Sequence, residues 1–265
     1  MAPVVMHKAW SQWLGRWRTA IGIVLIAAAA ANYFARDVHF RTATDFLEIP
    51  LRPLRLSGDL RESDTVPASP GHLLGYSLLL VTLDTTRPDR LGCYGNDEIR
   101  TPVMDSLARD GVIFSNAVAT TPTTLPSHAS IMTGRYPHHH GSRTNGLFPL
   151  STAETTLAEV LSASGYATAA MVSTFVLDSK FGLDQGFDLY DDETPSKNRR
   201  SGAYERRGDR TTDRAIRWLR ETRDDPFFLW VHYFDPHAPY QLPNSVAKAT
   251  RDNPYDAEIA FVDEQ

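Results

Sequence analysis

Two kinds of hydrophobic run alternate along most of this chain. Residues 78–83 (LLLVTL) and 226–234 (PFFLWVHYF) are almost continuously apolar. That pattern suits a parallel strand covered on both faces. Residues 112–118 (VIFSNAV) and 166–172 (YATAAMV) read as two further strands. Between these runs lie segments with helical signals. Residues 101–111 (TPVMDSLARDG) have Pro102 in the first turn and Gly111 as a stop. Residues 127–134 (SHASIMTG) predict a short helix, with Pro126 just before it and Gly134 ending it. Residues 151–165 open with Ser151 three positions before Glu154, the spacing of a capping box, and close at Gly165. Residues 211–221 place Ala215, Ile216 and Leu219 on one helical face, with the arginines on a solvated one. The last helix, within residues 253–265, turns Ile259 and Val262 inward. It meets Gln265 with no glycine, no basic last turn and no strand after it, so the domain is expected to continue. The alternation predicts an α/β fold: a largely parallel central sheet flanked by helices.

The N-terminal pattern is different. The first 36 residues contain no acid, and Lys8, Arg16 and Arg18 precede an apolar run over residues 20–31. A basic lead-in before an apolar run predicts export, by a signal anchor or a cleaved signal peptide. Trp10, Trp13 and Trp17 suit a membrane interface and favour the anchor, facing the body of the protein away from the cytoplasm. Residues 37–72 carry Ser, Gly, Pro and charge without a period and read as a linker. The folded domain is then residues 73–265.

Composition narrows the function classes. A net charge of -5 over 265 residues gives no basic footprint for nucleic acid. The single cysteine, Cys93, can form neither an internal disulfide nor a CxxC metal site, and reads as a small buried residue. The triplet His138, His139 and His140 is not read as a metal site, because adjacent side chains diverge.

The chemistry-bearing residues cluster at strand ends. Ligands of open parallel sheets sit beyond the carboxyl ends of the strands. Asp84 follows the first strand. Thr124, Ser127 and His128 follow the threonine-rich turn. His232, Asp235 and His237 lie within or after the last strand. Asp84 is a hard oxygen ligand suited to a divalent cation, or else a cap for the following turn. Thr124 lies where a helix start offers N–H groups and a positive dipole end to an anion. Its hydroxyl is a candidate nucleophile, or else an N-cap. No carboxylate is near it in sequence, so a metal held by Asp84 is the expected activator. His128 and His237 are candidates for contacting charged substrate oxygens or protonating a leaving group.

The blocks LLLVTLDTTRPDRLGCYGN, TPVMDSLARDGVIFSNAVA, TLPSHASIMTGRYP, GYATAAMV, FFLWVHYFDPHAPY and YDAEIAFVDEQ occur in this order. Together they resemble the sulfatase family of the alkaline phosphatase superfamily, from about Leu78 to the end of the chain. The family site motif, C/S-x-P-S-R, is here Thr124-Leu125-Pro126-Ser127-His128, with Thr133-Gly134 in place. The resemblance implies an alkaline-phosphatase/sulfatase-like fold, of which this chain is the N-terminal part. It puts Thr124 at the nucleophile position as a plain hydroxyl, since threonine cannot become formylglycine. It also implies His128 in place of the usual arginine, and His237 at a histidine that touches the substrate. Asp84 and Thr124 become metal ligands, with Thr85 where a second aspartate is usual. The implied cofactor is a divalent metal ion, calcium by family default, with manganese, zinc and magnesium as alternatives. The implied activity is hydrolysis of a sulfate or phosphate ester of a small molecule, glycan or lipid. Two further expectations stand beside it: a membrane-anchored phosphotransferase acting on an envelope lipid or glycan, and a non-catalytic binding module.

Overall fold

In the computed structural model the described residues are 22–27, 75–194, 205–222, 226–240 and 253–265. All lie in one of the two units into which the chain divides. The basic lead-in and the linker at residues 37–72 fall outside them. The strands are β1 (Gly22–Ala27), β2 (Leu78–Leu83), β3 (Ala167–Met171), β4 (Leu189–Asp191) and β5 (Phe227–Tyr233). They form one sheet in the order β1-β2-β5-β3-β4, and every pairing is parallel. The helices are α1 (Pro102–Asp110), α2 (Thr124–Thr133), α3 (Pro137–His140), α4 (Leu157–Ala163), α5 (Gly208–Glu221) and α6 (Pro254–Asp263).

β5 has a neighbour on each side and is buried along its whole length, hence its unbroken apolar sequence. Side chains alternate across the sheet. Leu79, Leu83, Leu229, Val231 and Tyr233 meet Met104 of α1, Ala215 and Leu219 of α5, and Ile259 and Val262 of α6. On the other face Leu80, Phe228 and Trp230 meet Leu125, Ala129 and Met132 of α2 and Ala158 of α4. The predicted inward residues of α5 and α6 are therefore core residues, with Ile216 half-buried.

Two local expectations are corrected. Residues 112–118 form no strand. Val112, Ile113, Phe114 and Val118 are exposed, and an apolar run becomes a strand only where a neighbour takes up its backbone hydrogen bonds. The capping box is not at Ser151 and Glu154. It is Thr156 and Glu159, where the Thr156 side chain accepts from the Glu159 N–H and the Thr156 N–H donates to the Glu159 carboxylate. Ser151 and Glu154 have the same spacing but lie ahead of the helix, where their backbones close a turn. Gly22–Ala27, part of the N-terminal apolar run, pairs along β2 as an edge strand. No helix among the described residues is long and apolar enough to cross a membrane.

Gly186 supports the entry to β4. Its φ is +86°, and a Cβ there would run into the backbone of Ala158 and Glu159 at the start of α4. Gly186→Ala therefore combines backbone strain with a clash that no side-chain rotation relieves. It is expected to lower unfolding free energy by about 2 kcal/mol or more in denaturant titration. Gly165→Ala, which shares a positive φ but opens onto free space, is expected to cost less.

Candidate active site

The carboxyl end of β2 delivers Asp84 at the sheet edge, where its N–H donates to the Tyr233 carbonyl at the end of β5. α2 starts beside it. Thr124 is the first helical residue rather than the cap; Thr123 occupies the cap position and makes no side-chain capping bond. The Thr124 hydroxyl instead donates to Asp84 Oδ2 at 2.8 Å. Both residues are buried, at 8% and 4% exposure. The carboxylate that is missing beside Thr124 in sequence is thus supplied from 40 residues upstream.

Behind this pair lies a buried polar network. His128 Nδ1–H donates to the Thr124 carbonyl at 2.8 Å. Trp230 Nε1–H donates to Thr82 Oγ1 at 3.0 Å, so the Thr82 hydroxyl turns its own hydrogen to His128 Nε2, 3.1 Å away. A carbonyl only accepts and an indole N–H only donates, which assigns every proton in the chain. Both nitrogens of the His128 ring are therefore committed inside the protein. The ring is fully buried and does not face a bound substrate, in contrast to the sequence expectation. Burial, with the His232 imidazole nearby, pushes its pKa down to about 4, so it is neutral at pH 7.

His232 sits opposite Thr82 in the β2–β5 register. Its ring lies edge-on to His128, with centroids 4.9 Å apart. The Ser173 N–H approaches its Nδ1 at 3.4 Å, leaving Nε2 to carry the proton. That Nε2 lies 3.5 Å from Asp84 Oδ2, at the outer limit of a hydrogen bond, and has no closer partner. Burial pushes the Asp84 carboxyl pKa up, but His232, His128 and the Thr124 hydroxyl together outweigh it, and the net shift is downward. Asp84 is thus a carboxylate at neutral pH.

Ser173 is held in turn. Its hydroxyl donates to the His232 carbonyl at 2.6 Å and meets the Thr211 hydroxyl at 2.7 Å. Buried Arg206 pairs with Asp191 at 2.6 Å and donates to the Val172 carbonyl at 2.7 Å. His232, Ser173 and Arg206 gave different signals in sequence. His232 shares the strand parity of Phe228 and Trp230, and Ser173 follows a strand as Asp84 does. Arg206 carried no signal.

The helix start is less open than the sequence implied. The Leu125 N–H is taken by Asn145 Oδ1 at 2.9 Å, and Pro126 has no N–H. Ser127 is buried, and its N–H bonds the Thr123 carbonyl. His237 is half-buried and reaches this cluster through Phe234. The two rings stack at 4.2 Å, and Phe234 lies 6.3 Å from the His232 ring. His140 is buried against Ser130, and the His138 and His139 rings lie against each other at 4.0 Å. Cys93 is half-buried, and burial pushes its thiol pKa up.

Among the described residues no three His, Cys, Asp or Glu side chains converge as a metal site. Asp84 and Thr124 supply two adjacent hard oxygens, and buried His232 Nε2 is left without a hydrogen-bond partner beside them. The two oxygens fit part of the shell of a divalent cation; calcium takes about six to eight oxygens.

The neutral state of His128 has a measurable consequence. Its folded pKa lies below the ordinary histidine value of 6.5, so the unfolded chain takes up a proton first as pH falls. The corresponding stability is fully present above about pH 6.5 and is lost as pH falls towards 4. Between pH 7.5 and 4.5 the protein is expected to lose about 2 kcal/mol more unfolding free energy than its His128→Asn variant. Equal losses in urea titrations would show that His128 is not held neutral.

The sulfatase family model matches residues 77–265. Mouse steryl-sulfatase is 40% identical over 117 residues, covering 40% of this chain and 19% of that protein. N-acetylglucosamine-6-O-sulfatase of Bacteroides thetaiotaomicron is 29% identical over 173 residues, covering 61% of this chain and 30% of that protein. A solved structure of a protein in complex with its substrate D-glucosamine-2-N,6-O-disulfate superposes with a TM-score of 0.58 at 23% identity. That match covers 67% of this chain and 38% of the other. The chain therefore spans less than two fifths of these relatives. The family match covers strands β2 to β5, the helices and the Asp84–Thr124 pair, and the chain belongs to the sulfatase family.

Proposed function

We propose that this chain carries the nucleophile half of a metal-dependent hydrolase of sulfate or phosphate esters, with Thr124 as the attacking residue. The observation that carries the reading is the 2.8 Å bond from the Thr124 hydroxyl to an ionised Asp84 at the start of a helix. In the first step the Thr124 oxygen bonds to sulfur or phosphorus, the ester bond to the alcohol breaks, and the Thr124 proton passes to Asp84. His237 gives its proton to the departing alcohol oxygen. In the second step water attacks the same atom and gives a proton to His237. The bond to Thr124 then breaks, and its oxygen recovers the proton from Asp84. His128 positions the Thr124 backbone and takes no proton. The family generally uses a divalent metal. The Asp84 and Thr124 oxygens would hold such a divalent cation, calcium by ligand type, which would supply positive charge to the reaction. The relatives act on sulfated compounds, which supports a sulfated glycan or small molecule as substrate.

The test uses the full-length protein with 4-nitrophenyl sulfate and a phosphodiester analogue. Thr124→Ala is expected to remove nearly all turnover and leave the protein folded, because the cap is Thr123. Thr124→Ser keeps a hydroxyl and is expected to keep part of the activity. Turnover retained in Thr124→Ala but lost in Thr123→Ala or Ser127→Ala would move the nucleophile to another hydroxyl.

We also propose that the N-terminal segment exports the protein. The support is the acid-free, basic lead-in and the apolar run. Residues 22–27 then exchange their place beside β2 for the membrane, and carbonate extraction separates an anchor from a cleaved signal. A reporter fused after His72 is expected to be active only outside the cytoplasm, and activity inside would contradict export.

A further inference from the structure

Thr85 is the only non-glycine residue with positive φ among the described residues, at +51°. A β-branched side chain is disfavoured there and persists only where surrounding contacts enforce it. The contacts are visible. The Thr85 hydroxyl donates to the Pro236 carbonyl at 2.6 Å, across 151 residues. The Thr85 carbonyl accepts from the Tyr255 hydroxyl at 2.7 Å. Tyr255 Oη accepts the Arg87 N–H at 2.8 Å, closing the turn onto α6. One residue before Thr85 stands Asp84, which holds the Thr124 hydroxyl, and one residue after Pro236 stands His237.

We infer that Thr85 is a positioning residue that fixes the His237 loop relative to Asp84 and Thr124. Across this left-handed turn the Asp84 side chain bonds Thr124 and the Thr85 hydroxyl bonds the Pro236 loop. Proton delivery to the leaving group needs His237 at a set distance from the attacked atom, and both reference points pass through this residue. The hydroxyl at this position therefore serves as a loop anchor. The inference rests on the proposed reaction and concerns a residue to which that reaction assigns no role.

The experiment measures kcat, KM and unfolding free energy of the full-length protein on 4-nitrophenyl sulfate. Thr85→Ser keeps the hydroxyl and is expected to stay close to the parent activity. Thr85→Gly relieves the backbone strain but loses the anchor. It is expected to be at least as stable as the parent, yet to lose roughly tenfold or more in kcat/KM, mostly in kcat. A merely structural residue would move stability and activity together. Thr85→Val keeps the shape without the hydroxyl and is expected to lose activity likewise. Combined with His237→Ala it is expected to add little further loss, because the two act as one unit. Parent-like kcat in Thr85→Gly and Thr85→Val would overturn the inference, as would losses that multiply with His237→Ala. If Thr124→Ala retained turnover, the reaction itself would be misassigned; if only the Thr85 variants stayed active, the anchor alone would be.

Discussion

The hydrogen bond between Thr124 and Asp84 is the contact on which this architecture turns. It joins the end of a central strand to the first residue of a helix, and both groups are nearly excluded from water. A bond from a hydroxyl to a carboxylate is stronger than one between neutral groups. It forms only if β2 ends where it does and α2 begins where it does. The apolar contacts of Leu125, Ala129 and Met132 against Leu80 and Trp230 seat the helix on the sheet. The parallel register with β5 sets the depth of Asp84, whose N–H is tied to the last residue of that strand.

Burying a carboxylate is costly unless its oxygens are met by donors. Here the Thr124 hydroxyl donates and the His232 imidazole approaches, and each of the two is fixed by further bonds. Thr124 is held through its carbonyl by His128, which Thr82 and Trp230 orient in turn. His232 is oriented by Ser173, which the Thr211 hydroxyl and the Arg206–Asp191 pair pin in place. The imidazole of His128 is therefore part of the frame, and its neutrality follows from that place. His232 is the exception, because its Nε2–H reaches towards Asp84 without closing a full hydrogen bond. An incompletely satisfied buried atom beside two oxygens marks the point where the frame ends and a ligand's chemistry begins.

Much of this is legible in the sequence. Strands β2 and β5 announced themselves as unbroken apolar runs because both faces are covered. Pro102 and Gly111 bracketed α1, and Asp84, Thr124 and His237 stood at strand or helix ends, where parallel sheets gather their chemistry. What was not legible depended on choices between equal local signals. Ser151–Glu154 and Thr156–Glu159 have the same spacing, and burial of Ala158 decides between them. Residues 112–118 have strand composition, but composition does not provide a pairing partner. His128 carried the polarity of a substrate contact, and only the proximity of Thr82 and Trp230 shows that its nitrogens are spent inside. The left-handed conformation of Thr85 follows from long-range bonds to Pro236 and Tyr255.

In the proposed reaction Thr124 forms a covalent bond to the sulfur or phosphorus of the substrate. Rapid acid quench of the full-length protein during turnover, followed by mass mapping of its peptides, tests it directly. The expected result is a sulfo or phospho group on Thr124. The same group on Ser127, Thr123 or another residue, or inversion at the attacked atom with no labelled peptide, would contradict it.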